Sequence, residues 1–134
     1  MPTIGTFFLS EDLREEGSGR YTGVGIFAGE ARFSTIEDAS FDKLFLFVSL
    51  QDIEAGEHEI SFDIDHLSLS KNLKVGSDTI NVESKSDIAF IARIDGFAFP
   101  GPGDFQINFH VDGERLGALA FAIKVDEQQD SSSE

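Results

Sequence analysis

The stretch "GDFQINFHVDGERLGALAFAIKV", residues 103–125, decides the fold. Its first half alternates strictly: Phe105, Ile107, Phe109 and Val111 fall on one face, Gln106, Asn108 and His110 on the other. Its second half sets Leu119, Phe121, Ile123 and Val125 on one face in the same way. A period of two is the spacing of side chains on a half-buried strand. Between the runs stands Asp112-Gly113, the kind of pair favoured in a two-residue hairpin turn because both central residues need positive φ. The stretch therefore predicts two antiparallel strands joined tightly.

The same pattern extends toward the N-terminus. "EISFDIDH" (59–66) turns Ile60, Phe62 and Ile64 inward and Glu59, Ser61, Asp63 and Asp65 outward. "SDIAFIARID" (86–95) does so with Ile88, Phe90, Ala92 and Ile94. "KLFLFVSLQ" (43–51) is apolar on both faces, Leu44, Leu46, Val48 and Leu50 against Phe45 and Phe47. Further strands are expected at 4–9, 20–28, 30–36 and 73–82, and one helical turn or an irregular strand within "HLSLSKNLK" (66–74). Turn signals at "EAGEH" (54–58), "FPGPGDF" (99–105) and "VDGERLG" (111–117) divide these runs. About eight short strands so divided predict an all-β chain: a single antiparallel β-sandwich, immunoglobulin-like or jelly-roll-like, over residues 1–125. The tail "DEQQDSSSE" (126–134) is acidic, has no apolar anchor, and is expected to be disordered.

Composition supports one domain. The chain has 134 residues, enough for a core without covalent staples. That core is built on 14 Phe with no Trp and one Tyr. There is no cysteine, which removes disulfides, thiolate metal sites and a cysteine nucleophile. The N-terminus lacks the basic and apolar regions of a signal peptide, and no apolar run reaches the roughly 18–20 residues that cross a bilayer. A cytoplasmic location is expected. The net charge is −15, so the surface repels phosphates and anionic membranes; neither direct nucleic-acid binding nor a membrane partner is expected.

Two stretches, "SEDLREEGSGRYTGVGIF" (10–27) and "GFAFPGPGDFQINFHVDGERLGALAFAI" (96–123), resemble a group of small bacterial and phage-associated proteins known only as a domain of unknown function. The shared features are an acidic D/E-x-x-R-x-E segment leading through glycine into a strand, and a late F-P-x-P-G-x-F/Y followed by V-D-G-x-x-L. The likeness would span residues 7–125. It implies a compact β-sandwich, with a phage or mobile-element setting, and transfers no catalytic residue.

Chemical motifs are sparse. "GSGRYTGVG" (17–25) is superficially like a kinase phosphate loop, but Gly23 follows Gly19 by four residues instead of three. No Walker lysine is present, and a strand pattern follows where a Rossmann loop needs a helix. Turns and a strand thinned by Gly23 and Gly25 explain the glycines. No G-x-S-x-G elbow accompanies His58, His66 and His110. Asp63, Asp65 and His66 raise a metal-site question, but calcium alone needs about six oxygens and no such loop is present. No catalytic, cofactor or metal residue is therefore assigned, and no cofactor is expected.

Two surface features remain. Leu44–Ser70 holds no Lys or Arg, so Asp52, Glu54, Glu57, Glu59, Asp63 and Asp65 are expected to form an acidic patch that steers a basic partner. Phe45 and Phe47, extended by Phe97 and Phe99, need a cover on the second face of their strand, from within the chain or from an interface. The expected function is a non-enzymatic protein-interaction or structural module that self-assembles or binds a protein. The competing expectation is an acidic inhibitor that imitates nucleic acid in a basic groove.

Overall fold

A computed structural model describes residues 2–17, 20–26, 29–33 and 35–125. The expected tail therefore lies outside the described residues. Among the described residues nine strands follow in order: β1 (Thr3–Glu15), β2 (Tyr21–Ile26), β3 (Glu30–Phe33), β4 (Ser40–Ile53), β5 (Gly56–His66), β6 (Lys71–Val82), β7 (Ser86–Ala98), β8 (Gly103–Val111) and β9 (Glu114–Val125). Short 3-10 turns at Ile36–Ala39 and Leu67–Leu69 interrupt them. One sheet has the order β2-β1-β4-β7, the other β3-β9-β8-β5-β6.

All pairings are antiparallel except one. β3 runs parallel to β9, with Glu30 opposite Ala122 and Phe33 opposite Val125. The chain leaves the first sheet after β2 and joins the second beside its C-terminal strand; Gly29, at φ 70, sits at that crossing, and its carbonyl accepts from the Ala122 N–H. The sandwich is thus mixed where a purely antiparallel one was expected.

Its connectivity selects between the two sandwiches that the strand pattern allowed. β4 pairs with β7 in one sheet, while β5, β8 and β9 pair in the other. Those are the B–E and C–F–G pairings of an immunoglobulin sandwich. A constant-type domain adds a fourth strand beside E. Here the strand that follows β5 stays with β5, so the flank of β7 carries no strand among the described residues.

The alternation read from sequence fills the space between the sheets. Leu44, Leu46, Val48 and Leu50 of β4 meet Ile60 and Ile64 of β5 and Phe105, Ile107 and Phe109 of β8, all fully buried. Asp112 (φ 53) and Gly113 (φ 82) both have positive φ, as the β8–β9 turn requires. β1 is far longer than its apolar run. Polar Asp12–Glu15 remain extended because β2 pairs with them, from Asp12 opposite Val24 to Glu15 opposite Tyr21. Pairing overrides composition there.

Candidate functional site

Among the described residues, β7 has no strand on its outer flank. β7 ends the first sheet and β6 ends the second. The two edges stand across clefts, the first mainly apolar and the second edged by Lys74, Asp78 and Arg93. One, of about 250 Å³, is lined by Ile80 and Val82 of β6 and Ile88 and Phe90 of β7. The next, of about 290 Å³, reuses Phe90 and adds Phe62, Val75, Ile91 and Ile94. Val75 and Ile91 are exposed at this side. Gly76 lets β6 lie close to the core: a β-carbon there would stand 2.5 Å from Phe62 Cε1. The sequence marks β7 as a strand but not as an edge, because an edge and a central strand share one alternation.

The four phenylalanines that called for a cover within the chain or an interface are buried or half-buried. Phe97 and Phe99 are buried, a correction to their reading as surface. Gly96 has a positive φ of 60, while the register with β4 runs on unchanged from Lys43–Asp95 to Phe41–Phe97. Ile94 and Phe97 therefore both face inward although they are three apart. Phe47 is also buried, and its cover is intramolecular: Phe8 stacks on it at 5.0 Å and Tyr21 tilts against it at 5.3 Å. Phe45 is half-buried, with Lys43 Nζ 5.7 Å above its ring.

The acidic residues divide into two groups. Asp52, Glu54, Glu57 and Glu59 are exposed around the β4–β5 turn. Asp63 and Asp65 lie half-buried on the outer face of β5, tied to amides. Asn108 Nδ2 donates to Asp63 at 2.7 Å and to Asp65 at 3.3 Å, and Asn72 Nδ2 donates to Asp65 at 2.8 Å. His66 points the opposite way. It is fully buried, 4.3 Å from the Phe105 ring, and neither ring nitrogen has a partner among the described residues. Strand parity thus separates His66 from the two carboxylates. Among the described residues no group of three or more His, Asp or Glu is placed to hold a metal.

His58 joins the tips of two hairpins. Its Nδ1 lies 2.7 Å from Asp112 and its Nε2 2.8 Å from the Glu54 carbonyl, while Asp112 also accepts from the Glu59 N–H at 2.9 Å. Two acceptors favour the doubly protonated ring. The Asp112 hydrogen bond, then the Glu54 carbonyl, raise the His58 pKa above 6.5. The His58 hydrogen bond, then the Glu59 amide, lower that of Asp112 below 3.8. A raised histidine stabilises the fold fully below its unfolded pKa and loses that contribution as pH climbs through the folded value. A lowered aspartate contributes above 3.8 and loses it as pH falls through its folded value. The pair is therefore strongest between these limits. Asp112→Asn keeps a residue that tolerates positive φ but removes the charge. The His58 titration midpoint, read by NMR, is expected to fall in that variant; an unchanged midpoint would refute the coupling.

The glycine stretch is structural where it is described. Gly17 has φ 80 in the β1–β2 turn, closed by the Arg20 N–H donating to the Gly17 carbonyl at 3.0 Å. A β-carbon on Gly23 would stand 2.9 Å from Phe8 Cε1. Gly19 lies outside the described residues.

Residues 6–124 match the model of a family of unknown function, DUF6941. No curated protein matches the chain by sequence. Among solved structures, it is similar to a β-glucosidase from Listeria innocua in complex with isofagomine, at 10% identity and TM-score 0.52, over 89% of this chain and 16% of that one. It is also similar to an alkylpurine DNA glycosylase of Pseudomonas fluorescens bound to DNA containing an abasic site analog, at 14% identity and TM-score 0.47, over 91% of this chain and 30% of that one. This chain spans under a third of either protein, and the first likeness is one of fold alone.

Proposed function

The chain belongs to DUF6941, a family of unknown function, and we propose that it acts as a non-enzymatic protein-interaction module whose contact surface is the open side formed by β6 and β7. One observation carries this reading: a 13-residue edge strand, uncovered among the described residues, stands over clefts lined by Phe90, Ile88 and Ile94. An uncovered edge offers a row of N–H and C=O groups to an incoming strand, and the pockets beneath select its side chains. The partner is a protein chain, not nucleic acid or membrane, because the surface charge of −15 repels both. A cytoplasmic setting belongs to the same proposal. The phage or mobile-element setting rests on the sequence resemblance alone. A photo-cross-linking residue at Ile91, in the native host, tests the surface. Cross-links to protein are expected from Ile91 and not from Thr22 on the opposite edge strand β2; equal yields at both positions would overturn the proposal.

A second reading is favoured by the clustering of Asp52, Glu54, Glu57 and Glu59 at one end of the sandwich. There the protein would occupy the basic groove of a nucleic-acid-binding protein. Salt-sensitive capture of such a protein, lost on reversing Glu54, Glu57 and Glu59 to lysine, would support it. Capture that survives the reversal would count against it.

A further inference from the structure

Resting on the open-side reading, we propose that the strand which completes the β7 edge is β7 of a second copy of this chain, paired antiparallel about a two-fold axis at Phe90. β7 is the edge best suited to accept a strand. β2 has six residues with glycines at 23 and 25, and β3 has four. β6 carries Lys71 and Lys74, with Gly76 at its middle. β7 has 13 residues, no proline, and a regular in-out alternation from Ser86 to Ile94. Proteins commonly guard an edge with proline, a bulge or an inward-pointing charge. The inward positions here are Ser86, Ile88, Phe90, Ala92 and Ile94, none of them charged.

The outward charges specify the occupant and its register. Lys85, just before the strand, and Asp87, Arg93 and Asp95 are all exposed. If both copies present their inner faces on the same side, residue i meets a residue of equal parity in the second copy. With Phe90 opposite Phe90, Asp87 stands opposite Arg93 and Lys85 opposite Asp95, each pair occurring twice by symmetry. Moving the axis to Ile91 sets Asp87 against Asp95. Moving it to Ala89 sets Lys85 against Arg93. Of these three registers, only the one centred on Phe90 pairs every charge with its opposite. It also places exposed Ile91 against Ala89 of the second copy. The two four-stranded sheets would become one continuous sheet. The pairing exchanges the present contact of Arg93 Nε with Asp95 at 2.7 Å, between exposed side chains, for contacts across the axis.

Sedimentation velocity over a dilution series tests this with the full chain and three variants. The wild type is expected to dimerise. Asp87→Arg and Arg93→Asp each create two like-charge pairs and are expected to weaken the dimer about tenfold or more. The double variant Asp87→Arg/Arg93→Asp restores opposite charges and is expected to recover the dimer. That recovery separates pairing from folding, because the double variant also lacks the Asp87 Oδ1 contact to the Asp52 N–H and the Arg93–Asp95 pair. A wild type that stays monomeric, or a double variant no better than the singles, overturns the second-copy proposal. If the wild type is monomeric while Ile91 still cross-links a different protein, only the identity of the occupant falls. If it is monomeric and Ile91 cross-links nothing, the open-side reading falls as well.

Discussion

Phe99→Ala is expected to lower stability by about 4 kcal/mol, the scale of a deleted core aromatic. Phe99 is 2% exposed. Its ring lies edge-on to Phe97 at 4.8 Å, Phe105 at 5.0 Å, Phe121 at 5.9 Å and Phe41 at 6.2 Å. Those neighbours come from β4, β7, β8 and β9, so truncation opens a hole bounded by both sheets, which cannot collapse into it independently. Edge-to-face pairs add about 0.5–1.5 kcal/mol beyond burial. The Phe99 N–H, which donates to the Ala39 carbonyl at 3.0 Å, is retained in the variant, so the loss comes from the side chain. Urea denaturation would show a lower midpoint with an unchanged slope. A loss below about 1.5 kcal/mol would mean that this cluster is not the centre of the core.

Gly103→Ala is expected to destabilise by roughly 2–4 kcal/mol, from two causes that can be separated. Gly103 has φ 141, in the range that L-residues rarely adopt. A β-carbon there would also stand 2.7 Å from His66 Cε1 and 2.7 Å from Ser68 Oγ. His66 is buried against Phe105 and cannot swing away without opening the core. Gly56 is the control: its φ is 124, but a β-carbon there meets nothing within 4 Å. Gly56→Ala should cost about 1–2 kcal/mol from backbone strain alone. Thermal melts of both variants separate the causes, the difference between them reporting the crowding at His66. Equal losses would refute it.

Much of the fold is legible in residues 43–66 and 103–125. There the strands are buried on one face and turned by residues whose conformation is fixed locally, as at Asp112-Gly113. The site was legible only in part, because surface position depends on neighbours that a strand's own sequence does not name. Phe97 and Phe99 read as surface until the positive φ of Gly96 resets the alternation and turns both inward. Phe47 needs a cover, but only the β1–β2 hairpin brings Phe8 and Tyr21 onto it. The six acidic residues share one cation-free stretch, yet turn geometry spreads Asp52–Glu59 over a tip while Asn108 and Asn72 hold Asp63 and Asp65 on a face. The parallel contact of β3 with β9 joins segments about 90 residues apart and has no local signature. The open flank of β7 follows from β6 pairing with β5 and not with β7, which only the assembled sheets reveal.

The meeting place proposed for another chain is the β7 edge. Hydrogen exchange of the β7 amides, followed residue by residue across a range of protein concentrations, tests it most directly. Every second amide of Ser86–Ile94 points away from β4. These amides are expected to be protected at high concentration and to exchange faster on dilution, while the edge amides of β2 do not change. Outward β7 amides that exchange at the rate of an open edge at every concentration would contradict it.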